Sequence, residues 1–347
     1  MITNKSNQVR SIVVANGKAA VLDADGTPIR HSDSILENDR IVAPYRYVNP
    51  SQIRGIFVNS GIIRFEENGA FLNFVIQESS SRTIMSQLGK IAEAVIVKRC
   101  AESEESNYEM FCIATGKRAH RKTARQFKAI GTGLIDTKIS HNQHYNPKDT
   151  QRDILFVNEG DVPALMSNAT LLAGNYAGLQ VKTSNEIINY ILSDVVTVRY
   201  CVPMICLPVM DVSGSVWINR HVNGGETLQV VNIYDKLIQR IVRNKNYTDK
   251  LIEKNQDFFG DDLSTGKFES RLYEYLRSRV YDIRDIDVAA FEEVMIMKDL
   301  LEQLVHGKLG PGDLMLESET LKSYLMSLGL WIAAPNVENN NLHMAIR

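Results

Sequence analysis

Gln180 and Lys182 are the residues of this chain best placed to do chemistry. They lie in a short apolar run, Leu179 to Thr183, that reads as a strand. Residues i and i+2 of a strand face the same way, so Gln180 and Lys182 project together while Leu179 and Val181 turn into a core. A lysine in such a run is satisfied by bulk water, by a phosphate or by an activated water. Asp161 precedes a second apolar run, Val162 to Met166, and Gly174-Asn175 and Gly178 supply turn residues between the two. Paired antiparallel, these runs would set the Asp161 carboxylate beside Gln180. A carboxylate, an amide oxygen and a backbone carbonyl form an all-oxygen set, which suits a hard cation such as Mg2+. Such an ion lowers the pKa of a bound water and offsets charge building on a phosphate under attack.

Several elements must position this pair. Near Ser80 a polar run, ESSSR, reads as a helix entry. Leu88, Ile91, Ala92 and Val95 then follow at helical spacing. Residues 108 to 220 mix short strands and loops with at least one helix. Residues 1–80 read as β-rich, with Asn16-Gly17, Asp25-Gly26, Ser60-Gly61 and Asn68-Gly69 as turn signals. From about 225 the period is helical. Leu228, Val231, Tyr234, Leu237, Ile238 and Ile241 form one stripe, and Leu272, Tyr275 and Leu276 a second. Phe291, Val294, Met295, Leu301 and Leu304 form a third, and Leu321, Tyr324, Leu325 and Leu328 a fourth.

Asp161, an intervening strand and then Gln180-Val181-Lys182 resemble the active-site signature of the PD-(D/E)XK, or restriction-endonuclease-like, nucleases. Some branches of that superfamily, Mrr-like ones among them, carry Gln in place of Glu. The resemblance spans about residues 85–220. It implies an α/β fold with an α-β-β-β-α-β core, whose first helix often holds a Glu after a Gly. Gly89 and Glu93 match that element. SNEIINYILSDVV would be the helix after the lysine strand and RYCVPMICLPVMD the strand after it, while the first core strand is either YEMFCIAT or DILFV. By the resemblance Asp161 and Gln180 would be metal ligands, Lys182 the catalytic lysine, and Glu93 an auxiliary ligand or an orienting group. Asp153 is the alternative acidic ligand. The sequence departs from the pattern in two ways. Gln180 is neutral, a charge that Glu159 or Glu93 would restore, and the stretch between Glu93 and Asp161 needs an insertion, placed between about 115 and 150.

The implied architecture has a β-rich accessory domain over 1–80, the nuclease domain over 81–224 and a C-terminal helical region over 225–347. The implied activity is that of an Mg2+- or Mn2+-dependent DNA endonuclease in restriction or anti-phage defence. Its partners would be DNA, a second copy of the chain for cutting both strands, and a partner protein of the defence system. The alternative is a catalytically inactive nuclease-fold protein that binds nucleic acid or a protein.

Composition bounds these readings. With 347 residues the chain exceeds what one core usually fills. Lys+Arg number 39 against 41 Asp+Glu, which excludes a uniformly basic surface but allows a local basic groove. Lys117, Arg118, Arg121, Lys122, Arg125 and Lys128 supply one, with no acid among them. As a helix, Lys117, Arg121, Arg125 and Lys128 would share a face and neutralise several phosphates. Cysteines 100, 112, 201 and 206 make neither a CxxC pair nor a zinc-finger spacing, so they read as reduced buried thiols. Gly260 to Lys267 has the wrong glycine spacing for a phosphate loop, and Phe268 stands where Ser or Thr would hold Mg2+. Gly131-Thr132-Gly133 is too short for a dinucleotide fingerprint, and His141 and His144 read as surface histidines in a loop. The N-terminal apolar run, Ile12 to Ala15, is too short for a signal-peptide core. Tyr200 to Met210 is about half a membrane span and carries two prolines. A soluble cytoplasmic protein with no membrane partner is the expectation.

Overall fold

The computed structural model describes residues 11–15, 18–22, 34–37, 40–42, 50–67, 69–167, 175–209, 216–220, 226–230, 233–260, 265–316 and 320. Among these, the N-terminal strands β1 (Ser11–Ala15), β2 (Lys18–Leu22), β3 (Ser34–Glu37) and β4 (Arg40–Val42) share an antiparallel sheet with two distant ones, β11 (Val216–Arg220) and β12 (Glu226–Val230). The order is β11-β12-β1-β2-β3-β4, with Ile12 opposite both Val21 and Leu228. Leu228 therefore belongs to a strand and not to the helical stripe expected from 225; helix resumes only at Ile233. The first 80 residues are also less uniformly β than expected. They contain α1 (Pro50–Asn59), followed by the hairpin β5 (Ile63–Glu66) and β6 (Gly69–Leu72).

The strand that carries Gln180 lies in the centre of a second, mixed sheet. Leading to it are α2 (Ser80–Glu102), α3 (Glu104–Thr115), α4 (Arg121–Ala124), β7 (Phe127–Gly131), α5 (Ile135–Ser140) and β8 (Ile154–Asn158). Then come β9 (Gly178–Ser184), α6 (Ile187–Val196) and β10 (Met204–Pro208). After the N-terminal sheet is completed, α7 (Ile233–Val242), α8 (Lys245–Lys254), α9 (Gln256–Phe259) and α10 (Thr265–Arg279) lead to β13 (Val280–Asp282), α11 (Ile283–Ile286) and α12 (Val288–Val305). The strand order is β13-β10-β9-β8-β7. β8 runs antiparallel to both neighbours, whereas β9, β10 and β13 are mutually parallel. A parallel pair needs a crossover, and α6 supplies it between β9 and β10.

Alternation along the strands sorts side chains to two faces. Leu179, Val181, Ile205, Leu207, Ile154 and Phe156 pack with Leu88, Ile91 and Val95 of α2. Met204, Cys206 and Val280 face the other way, onto α6, α7 and α10. The result is a three-layer α/β arrangement. α2 begins at Ser79, whose side chain accepts a hydrogen bond from the Arg82 backbone N–H. α12 docks on α2 through Asp287, which caps its first turn through Ala290 and binds Arg99 at 3.0 Å and Ser106 at 2.6 Å. Among the described residues no helix is long and apolar enough to cross a membrane.

The first strand of this sheet is neither of the two expected segments. YEMFCIAT is helix α3. Ser103 caps its start, Glu104 and Glu105 stand in its first turn, and Gly116 closes it in the left-handed region with φ 69°. Its buried Tyr108, Phe111 and Ala114 recur every third residue, a helical period. DILFV contributes β8, the second strand, and β7 precedes it. The basic run is correspondingly broken: α4 spans only Arg121–Ala124, and Lys128 already lies on β7. The stripe at 321–328 and the turn residues Asn16-Gly17 and Asp25-Gly26 lie outside the described residues.

Candidate metal and phosphate site

Asp153, immediately before β8, sits opposite Gln180. The register that pairs Ile154 with Leu179 sets this, and the Asp153 N–H donates to the Leu179 carbonyl at 2.9 Å. One Asp153 carboxylate oxygen accepts the Val181 N–H at 2.7 Å and a short hydrogen bond from the Gln180 amide nitrogen. Its backbone carbonyl accepts the Thr132 N–H at 2.7 Å, which ties it to the loop after β7. Burial pushes the Asp153 carboxyl up to about 6, against the Val181 hydrogen bond and the nearby Lys182 charge, which favour the ionised form.

Glu93 reaches the same place from α2. The Gly133 N–H donates to its carboxylate at 3.2 Å. Burial, and then the negative charge of Asp153, push Glu93 up to about 8, with the Gly133 hydrogen bond and Lys90 acting in the opposite direction. Gly131 makes room for it: a Cβ there would stand 2.5 Å from the Glu93 carboxylate and 2.5 Å from Leu134. The Gly-Thr-Gly stretch thus serves close approach of backbone to a carboxylate.

Gln180 is buried, and its amide oxygen has no hydrogen-bond partner within the protein. Lys182 is also buried. Its ammonium donates to the Tyr200 hydroxyl at 2.5 Å, lies 3.7 Å from the Asp194 carboxylate and stands 4.3 Å from the Tyr200 ring centroid. The exposed Tyr190 ring is 5.6 Å away on α6. Sequence reasoning missed Asp194, Tyr190 and Tyr200. Their one signal was position, in and just after the helix that follows the lysine strand.

Asp161 is not part of this group. It follows β8 at the end opposite Asp153, in a tight turn where its N–H bonds the Asn158 carbonyl and its φ is 59°. Val157 bridges Pro163, so the chain folds back at once and aims Asp161 away from Gln180. Its carboxylate accepts hydrogen bonds from His141 at 2.7 Å and from Gln143 at 2.6 Å, and His144 bonds its carbonyl at 2.9 Å. Desolvation there would raise its pKa, but the His141 and Gln143 hydrogen bonds and the two histidines together outweigh it and hold the carboxyl below the usual range. The place beside Gln180 that the sequence reading gave to Asp161 is taken by Asp153. Glu159 stands exposed at the same far turn and restores no charge to the site.

The basic run is partly neutralised. Arg121 forms a two-pronged pair with Glu105 at 2.6 and 3.0 Å, and Arg125 pairs with Glu104 at 2.7 Å. Both acids lie on α3, outside the run itself. Lys117, Arg118, Lys122 and Lys128 are exposed.

Among the described residues no three His, Cys, Asp or Glu side chains form a metal-binding group. The oxygen set at this site is instead two carboxylates and one amide. That set fits a hard divalent cation on two counts. The Gln180 amide oxygen is a buried acceptor that the protein leaves unpaired, and the negative charge of Asp153 disfavours the ionised form of buried Glu93. The chain matches no protein-family model, no curated protein sequence and no solved structure.

Proposed function

We propose that this chain is a metal-dependent phosphodiesterase of the PD-(D/E)XK type acting on nucleic acid, with Asp153 in the acidic position. The convergence of Asp153, the unpaired Gln180 oxygen and Lys182 on one face of the sheet carries this reading. The order α2-β7-β8-β9-α6-β10, with α3 and α4 inserted before β7 and α5 before β8, supports it, because apart from these insertions it follows the α-β-β-β-α-β core that the sequence resemblance implies. Glu93 at the level of Asp153 supports it further.

Asp153, Gln180 and Glu93 would hold the divalent ion, which supplies charge neutralisation and an acidified water when bound. Lys182 contributes a fixed positive charge beside them. Tyr200 and Asp194 set the direction of its ammonium, so it can donate hydrogen bonds to the attacking water or to a phosphate oxygen without reorganising. Gln180 orients Asp153 through its amide nitrogen and leaves its oxygen to the site.

Mn2+ titration followed by calorimetry tests the metal site. Wild type is expected to bind the ion, and Asp153→Asn and Glu93→Gln to weaken binding about tenfold or more each, since each removes one of two charges. Equal binding by wild type and both variants would reject these residues as ligands. No binding at all would favour a nuclease-fold protein that binds nucleic acid without cutting, a reading to which the neutral Gln180 lends weight.

A further inference from the structure

The site has a second feature that metal chemistry does not use: exposed aromatic rings on both sides. Among the described residues the large exposed aromatic side chains are Phe65, Phe71, Tyr176 and Tyr190. Phe65 and Phe71 face each other's strands in the β5–β6 hairpin. The two tyrosines flank Gln180 and Lys182, and they are 49% and 53% exposed.

Their placement follows from β9. Tyr176 shares the alternation of Gly178, Gln180 and Lys182, so all four positions lie along one face of the strand path. Gly178 bears no side chain there, and Arg152 lies across it: a Cβ on Gly178 would stand 2.9 Å from the Arg152 Cγ. The Arg152 guanidinium in turn sits 6.0 Å from the Tyr176 ring centroid. At the other end the Lys182 ammonium sits between the Tyr200 ring and the exposed Tyr190 ring. From Tyr176 to Lys182 the path is about 20 Å of extended chain. Aromatic ring, Arg152 (itself paired with Asp149 at 3.2 Å), Asp153 with Gln180, Lys182 and aromatic ring therefore follow one another along the strand path.

We infer that the substrate bound along this line is single-stranded nucleic acid, with Tyr176 and Tyr190 each stacking an unpaired base and Arg152 and Lys182 facing its phosphates. The inference rests on the nuclease reading for the role of the site between the rings. In a duplex the base faces are covered by their neighbours and cannot reach a protein ring, whereas an unpaired strand offers a π-face at every base. Stacking on tyrosine does not discriminate among bases, so the line reads strandedness and not sequence.

Fluorescence polarisation in EDTA tests this without any cleavage. The probes are fluorescein-labelled oligo-dT and oligo-rU of about 15 nucleotides and a labelled duplex of the same length. Wild type is expected to bind a single strand more tightly than the duplex. Tyr190→Ala and Tyr176→Ala are each expected to weaken single-strand binding about tenfold, and Tyr190→Phe and Tyr176→Phe to restore it. Both rings are solvent-exposed, so the melting temperatures of these variants should match wild type. Duplex binding as tight as single-strand binding, or alanine variants that bind oligo-dT like wild type, would overturn the inference. Because the readout is binding alone, it separates from the nuclease reading. Tyrosine-dependent binding by a chain that never cleaves would keep the platform and sink the nuclease, and metal-dependent cleavage with tyrosine-independent binding would do the reverse.

Discussion

An alanine at position 182 is expected to lower phosphodiester hydrolysis about a hundredfold or more, in kcat and not in KM. Tyr200 and Asp194 fix the Lys182 ammonium beside Asp153 in a buried setting, where a preoriented positive charge acts more strongly than one in water. Charge grows on the phosphate only as the bond to the attacking water forms, so the interaction is strongest in the transition state. Arginine should not rescue the loss, because a planar fork cannot take up the cradle of one hydroxyl, one carboxylate and one ring face that suits a compact ammonium. Single-turnover rates of wild type, Lys182→Ala and Lys182→Arg on the same substrate measure this directly. Unchanged rates would remove Lys182 from the mechanism.

The second large effect is on stability. Glu93 has its carboxyl raised from 4.5 to about 8 by burial and by the Asp153 charge. Between those two pH values the unfolded chain has released the Glu93 proton while the folded chain keeps it. Stability must therefore fall as pH rises through this window, at up to about 1.4 kcal/mol per unit from this group. Glu93→Gln removes the titration but keeps the shape. The variant's advantage over wild type should be absent near pH 4.5, grow steadily, and reach a few kcal/mol by pH 8 in metal-free buffer. Asp153, raised to about 6, adds a slope of the same sign at lower pH in both proteins. Saturating Mn2+ should narrow the variant's advantage at pH 8, because the ion binds the charged wild-type pair more tightly. Thermal melts of both proteins across pH, with EDTA and with Mn2+, read all of these arms. Parallel stability curves would show that Glu93 is not buried beside Asp153 as described.

What the sequence made legible was set by short-range periodicity. The projection of Gln180 and Lys182 to one side follows from a period of two. Leu88, Ile91 and Val95 on the sheet-facing side of α2 follow from a period near four. Glu93 lies on that same helix and could be named in advance. What stayed hidden depends on longer-range geometry. Asp153 and Asp161 both adjoin apolar runs, and only the register of β8 on β9 decides which one meets Gln180. That register is bound up with the tight Asn158–Asp161 turn and with Gly178, where any side chain would meet the Ile154 carbonyl at 2.6 Å. YEMFCIAT has strand-like residues, yet Ser103 and Gly116 cap it as a helix. That helix in turn carries the acids that neutralise Arg121 and Arg125, so the basic run looked freer in sequence than it is. Leu228 fits a helical stripe by spacing, but its partner is Ile12, more than two hundred residues away in the chain.

On the proposed function Asp153, across the strand from Gln180, is the acidic residue of a metal-dependent nuclease and Asp161 is not. Cleavage of supercoiled plasmid and of single-stranded circular DNA in Mg2+ by wild type, Asp153→Asn and Asp161→Asn tests this most directly, with EDTA as the blank. Metal-dependent cleavage is expected from wild type and Asp161→Asn, and its loss from Asp153→Asn. Loss in Asp161→Asn with full activity in Asp153→Asn, or cleavage of neither DNA by wild type, would overturn the assignment.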